Sequence, residues 1–483
     1  MDQTHRAIYP GKHKQLFLDD YSTESGTGLS RTLHQPQKHG PVLNADLSAK
    51  QTAVQSRSAP QWNPEKQVWE WWYWSFYDEP NATSESLAHY AISSDGVKWE
   101  KPSLGLCEGK AHGDNNVISG AGHHDKTVYH VVRDELEENP EKRYKGLFGT
   151  KDRWIGFSPD GLNWTMPDIS PVPSQDESHL CYDIISNQYL ATVKQSTEWG
   201  RSVYLATSKN FINWTFPKLI FNTDETDNEN RKQRIEQATI NPDYLTPPIV
   251  GEPPEGYKAQ CYQMAIMPYE GLYVGFPALC NPAGPDGAGN NTGLNQIELT
   301  VSHDLYNWNR VANRELFIGI DPWDGVNYGT AQILMCGSPT IRDNEVWIYY
   351  NGLRFRSYSH QHPNLDPEFF NDGSAMCLAK LRLDGFVSLD AKGEGVLITK
   401  PFEFDGDGLK VNAQSNGGLQ AELLNAKTYE TLPGFSVSES LNLIGDHIDG
   451  QIRWGDRTRP ENSIPVRVRF HLKDSSLYSF WTL

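Results

Sequence analysis

One short hairpin signature, repeated four times, constrains this chain more than any other feature. From Ser93 the sequence reads SSDGVKWEKP, from Phe157 FSPDGLNWTMP, from Thr207 TSKNFINWTFP and from Val301 VSHDLYNWNRV. Each copy follows a short apolar run: LAHYAI, RWIGF, SVYLAT and QIELTV. A strand that ends at Ser, reverses through an Asp-Gly or Asn-rich turn and continues through Trp is a β-hairpin whose indole packs back on its own sheet. Trp99, Trp164, Trp214 and Trp308 are therefore expected at equivalent hairpin positions, largely buried. Their uneven spacing excludes a strict solenoid but suits a propeller, which tolerates long loops within and between blades.

Further strand signals lie between the copies: VWEWWYWSFY from Val68, RYKGLFGT from Arg143, QYLATVKQ from Gln188, LYVGFPAL from Leu272 and EVWIYYNGL from Glu345. Sustained helical periodicity is missing almost throughout. The charged, then proline-rich segment from Asn222 and the Gly/Asn-rich segment from Asn281 read as insertions. After about Lys400, runs such as LKVNAQ, VRVRFHL and LYSFWTL alternate apolar and polar residues, as strands of a small antiparallel sandwich do. The expected architecture is all-β: a five-bladed β-propeller over residues 1–400 and a β-sandwich over 401–483, with DGFVSLDAKGEG from Asp384 as the junction.

Composition narrows the partners. A formal charge of -18 without any basic run disfavours nucleic acid and anionic membranes. No stretch is apolar enough to span a bilayer. The opening residues lack the apolar core of a signal peptide, so the expectation is a cytoplasmic protein or one whose leader has been removed. Six singly scattered cysteines point to reduced, buried thiols. Aromatic residues at 11% suit a site that stacks flat faces on sugar rings.

The S-x-D-G-x-x-W hairpins, the RYKG strand and the late sandwich resemble the five-bladed propeller superfamily of arabinanases, xylosidases, invertases and levansucrases. QLFLDDYST at Gln15, PYEGLYVGFP at Pro268, EVWIYYNG at Glu345 and LRLDGFVSLDA at Leu381 look like bacterial proteins related to glycoside hydrolase families 32 and 43. The WMNDPNG-like motif and Arg-Asp-Pro strand of true invertases are not present as such. The resemblance implies a glycosidase acting on a plant or algal oligo- or polysaccharide. It further implies three acids meeting at the propeller axis, no organic cofactor and no catalytic metal, with a structural cation in the channel left open. A non-catalytic glycan-binding propeller and a polysaccharide lyase are the alternatives.

Glycoside hydrolysis needs two carboxyl groups flanking one bond. Asp19 and Asp20 end the first apolar strand; since neighbouring strand residues face opposite ways, one of them, with preference for Asp20, is the candidate base or nucleophile. Asp176, in SQDESHLCYD, is the candidate pKa-setting acid, with His179 beside it. Glu270, between aromatic residues in MPYEGLY, is the candidate general acid. Each has a plainer alternative: strand-end caps, a solvated acidic loop and a hairpin turn, respectively. Asp134, before the RYK strand, reads as structural. Arg354, Arg356, His360 and His362 cluster in one loop that suits an anionic sugar group or is simply polar. Of the aromatic run from Trp69 to Trp74, mostly core, Trp74 is the candidate sugar platform. His123 and His124 point apart if they lie on a strand, which argues against zinc.

Overall fold

The computed structural model describes residues 8–77, 86–106, 116–118, 128–245, 257–285, 291–356 and 367–482. It is nearly all-β, built from antiparallel units that follow one another along the chain. The first holds Gln51–Gln55, Gln61–Asn63, Val68–Tyr77 and Ser86–Ser93; the second Val128–Arg133, Tyr144–Phe148 and Trp154–Ser158. The third holds Ser178–Asp183, Gln188–Thr197, Gly200–Ser208 and Lys218–Phe221. A ten-stranded sheet contains the next two, a fourth unit around Gln260–Tyr269 and Leu272–Pro285 and a fifth around Gln332–Met335, Glu345–Leu353 and Ser374–Arg382. One parallel pairing, Asn295 with Gln332, joins them.

Polar links tie each unit to the next and the last to the first. Ser58 Oγ accepts from the Val131 amide at 2.9 Å, His130 Nε2 lies 2.6 Å from Ser178 Oγ, and Thr192 Oγ1 donates to the Met264 carbonyl at 2.7 Å. Gln263 Nε2 donates to the Met335 carbonyl at 3.2 Å, and Asn351 Nδ2 to the Ser56 carbonyl at 2.9 Å. The circuit is sealed by the N-terminal strand Gln37–Asn44, which pairs with Ser374–Arg382 as the fifth unit's outer strand. Closing a ring of sheets with a strand from the other end of the chain removes an exposed edge.

The repeated hairpins share one geometry. The Ser hydroxyl accepts a turn amide, and the residue two places on (Asp95, Asp160, Asn210 or Asp304) accepts the amides two and three positions beyond itself. Each Trp Nε1 donates to the carbonyl three residues back: Gly96 at 3.2 Å, Gly161 at 3.0 Å, Phe211 at 3.1 Å and Leu305 at 2.8 Å. Those four carbonyl residues all have positive φ, from +62° to +75°. The four indoles are half-buried rather than largely buried, because each stands past the turn, at the outer side of its unit.

Strands Val387–Thr399, Lys410–Asn425, Leu443–Gln451 and Pro465–Trp481 form the body of an eight-stranded sheet with its own core, including Phe17, Leu397, Leu423, Trp454, Phe470 and Phe480. Gln15–Leu16, Thr23–Thr27 and Ser30–Leu33 pair into this sheet, as does Val387–Thr399. By hydrogen bonding, then, residues on both sides of position 400 belong to one sheet. Local alternation reveals strands but not their partners.

The charged segment after Asn222, an insertion by its sequence, contains a helix, Glu225–Ile240. It has no apolar stripe to announce it. Instead an Asp224–Asp227 capping box starts it, and Arg310 and Arg314 bind its first turn. Arg234, near its far end, reaches the buried Glu298 at 2.7 Å. No helix among the described residues is long and apolar enough to cross a membrane.

Candidate functional site

Polar residues in or next to the first strands of the units meet. Arg57, after Gln51–Gln55, forms a two-pronged ion pair with Glu177, which immediately precedes Ser178–Asp183; the Nη2–Oε1 distance is 2.6 Å. Arg57 lies over the Trp74 ring at 5.1 Å, and Trp74 packs on Tyr129 with centroids 4.5 Å apart. Arg153 covers the Tyr129 ring at 4.8 Å and donates to Ser178 Oγ. On the other side Tyr262, from Gln260–Tyr269, receives Lys194 at 4.3 Å, Arg356 at 5.3 Å and Arg201 at 5.4 Å. Lys194 also pairs with Asp176 at 2.5 Å.

Burial governs the charges. It opposes ionisation of Glu177, but the Arg57 guanidinium more than offsets it and holds the carboxyl below its ordinary range. Burial lowers Lys194 and Arg153, pushes Tyr129 up to about 12 and takes His179 down to about 3. His130 is lowered strongly for the same reason, so both imidazoles are neutral near pH 7. The site thus offers one locked carboxylate, one accessible carboxylate (Asp176, side chain 57% exposed), fixed cations and aromatic walls.

The three acids proposed from sequence do not converge. Thr192, opposite His179 in its ladder, bonds to Met264, so Asp176 and Glu177 lie level with the start of Gln260–Tyr269. Glu270 follows the far end of that strand, roughly 25 Å from Tyr262 at an extended rise per residue. There Glu270 and Gly271, at φ +47° and +74°, make the two-residue turn joining Tyr269 to Leu272, and the Glu270 carboxylate accepts the Lys14 amide at 2.9 Å. Asp19 is near Glu270 rather than Asp176: its carboxylate bonds His303 at 3.0 Å, and His303 and Tyr21 line a cleft of about 70 Å³ with Glu270. Asp20 is exposed and paired with Arg31. Neither aspartate stands on the first strand of a unit.

Other expectations divide similarly. His179 and Arg356 are at the central site, but His179 is fully buried. Arg354 is a structural pin, bonded to Asp372 and the carbonyls of Gly325, Val326 and Asn327 while lying over Tyr328 at 4.1 Å. Trp74 is central yet only 4% exposed, its face occupied by Arg57, so it supports the site rather than presenting an open platform. Asp134 binds Lys145 and Tyr189, a structural role. His123, His124, His360, His362 and Cys107 lie outside the described residues. The other five cysteines are free thiols.

Sequence reading missed Arg57, Glu177, Tyr129, Arg153, Lys194 and Tyr262. A usable signal was present: counting back from each Trp hairpin to the first strand of its unit reaches QSRS, VYHV, ESHL and CYQM, polar residues interrupting apolar runs at corresponding places. Among the described residues no group of three or more His, Cys, Asp or Glu is placed to hold a metal ion.

No family model matches the chain, and no curated protein does. Among solved structures, the catalytic domain of a GH62 α-L-arabinofuranosidase from Coprinopsis cinerea is 10% identical at a TM-score of 0.43, covering 72% of this chain and 97% of that one. A GH32 β-fructofuranosidase from Bombyx mori is 10% identical at 0.41, covering 93% and 94%. An N-acetylgalactosamine deacetylase from F. plautii is 14% identical at 0.41, covering 74% and 97%. At such identities and TM-scores, activity has to be argued from this chain's own residues.

Proposed function

We propose that this protein is a glycoside hydrolase: a five-bladed propeller, its blades the successive antiparallel units, followed by a C-terminal β-sandwich into which the N-terminal strands are woven. The observation carrying the functional reading is the meeting of Asp176 and Glu177 with Tyr129 and Tyr262, from the first strands of two other units, and with Trp74 of Val68–Tyr77. Aromatic faces and fixed charges suit a carbohydrate. Asp176, with its accessible carboxylate, is the candidate reactive group, acting as base or nucleophile. Glu177 is a positioning residue that fixes Arg57 and the local field. The substrate is a plant or algal glycan, and no organic cofactor is needed. Hydrolysis of an oligosaccharide panel by the unaltered protein and by Asp176→Asn tests this; a loss of about 10²–10⁴-fold is expected, and full activity in the variant overturns the assignment.

A second reading has its own support. Asp176 and Glu177 are neighbours on one segment and both are ion-paired. Acid and base on opposite sides of a bond require groups from separate segments, so glycan binding without cleavage fits this arrangement. Tight binding of a glycan that remains intact after prolonged incubation would select it.

A further inference from the structure

We infer that the central site takes a sugar carrying a negative charge, as a uronate carboxylate or a sulfate ester; this rests on reading the site as a carbohydrate site. Arg57, Arg153, Lys194 and Arg356 gather around Glu177, Tyr129 and Tyr262, in a chain whose formal charge is -18. Glu177 pairs with Arg57, and Asp176 with Lys194. Neither Arg153 nor Arg356 forms an ion pair with a carboxylate among the described residues, although Glu177 and Asp176 act on Arg153 through space. Arg153 is fully buried, donates only to Ser178 Oγ and the Gly149 carbonyl, and leaves Nη2 without a partner. Arg356 donates to neutral oxygens of Asn291, Asn295 and Gln332, the last two at 3.2 and 2.7 Å, and its Nη2 is likewise unpartnered.

A guanidinium with a spare buried donor and no paired counter-charge is costly unless an anion offsets it. Carboxylate and sulfate oxygens match the planar donor fork of arginine, which a neutral hydroxyl satisfies only in part. Arg356, half-buried beside Tyr262, can meet an acidic substituent directly, and Arg153, buried against Tyr129, adds its charge from within while the rings meet the sugar's apolar face.

The test is calorimetric titration of the full chain with an oligogalacturonate, its fully methyl-esterified form, and a sulfated and a desulfated galactan oligosaccharide. At least one acidic probe should bind about tenfold or more tightly than its neutral counterpart, and the pair that shows the difference identifies the anion. In Arg356→Gln and Arg153→Gln that ratio should fall to about twofold or less. If Arg153→Gln does not fold, Arg356→Gln alone carries the test. Equal affinity for acidic and neutral forms, no binding of any probe, or a ratio unchanged in Arg356→Gln overturns the inference. Acidic preference without cleavage leaves it standing and overturns the hydrolase reading; cleavage of neutral glycans without acidic preference does the opposite.

Discussion

Arg57 and Glu177, 120 residues apart, form a buried two-pronged ion pair that bridges the first and third units across the central site. Both side chains are at most 5% exposed, so neither charge has water to fall back on.

Glu177→Gln removes the counter-charge and strands Arg57. The expected loss of stability is about 3–5 kcal/mol, read from urea midpoints, whereas changing both partners together should cost less than the sum of the single changes. A loss below about 1 kcal/mol would mean that Arg57 finds another partner.

The same pair sets a low-pH dependence. The folded carboxyl of Glu177 is held below its ordinary value of 4.5, so its contribution is present above that pH and disappears as pH falls through the folded value. Glu177→Gln should therefore flatten the stability profile below pH 4.5.

Buried histidines act in a higher window. His89, bonded to Ser75 and Asn116, is lowered by burial to about 4, and His179 to about 3, against an ordinary 6.5. Below pH 6.5 the unfolded chain takes up protons that the folded chain refuses, so stability falls as pH drops. The expected slope approaches about 1.4 kcal/mol per pH unit for each histidine, measurable as a shift of the urea midpoint between pH 7 and pH 4.5.

The hairpin repeat makes a local prediction. Gly161 has φ +75°, and an added Cβ would stand 2.5 Å from Trp72 Cζ2. Gly161→Ala should cost about 1–3 kcal/mol, more than the roughly 1 kcal/mol expected for Ser158→Ala, which removes the hydroxyl that accepts the Gly161 amide. Equal costs, by thermal or urea unfolding, would show that the turn is held by Ser158 rather than shaped by the glycine.

Glu270→Gln is the control for the site. Glu270 lies at the opposite end of its strand from Tyr262, so activity on a glycan cleaved by the unaltered protein should stay within about twofold. A hundredfold drop would move the active site to the cleft of His303 and Tyr21.

The sequence by itself determined what is local. Ser, a polar turn residue and Trp within seven positions close the same hydrogen bonds in each hairpin, so the repeat, the strands around it and the all-β class were legible from residues alone. Tertiary structure decided what is distant. Nothing near Gln37–Asn44 announces Ser374–Arg382 as its partner, since strand pairing is set by edges and register rather than by composition. Asp20 and Glu270 looked catalytic because strand ends and aromatic neighbours are local signals, whereas convergence depends on which end of each strand faces the centre. Arg57, Glu177 and Tyr262 acquire their chemistry only when three separate units bring them together, and burial then fixes which charges persist.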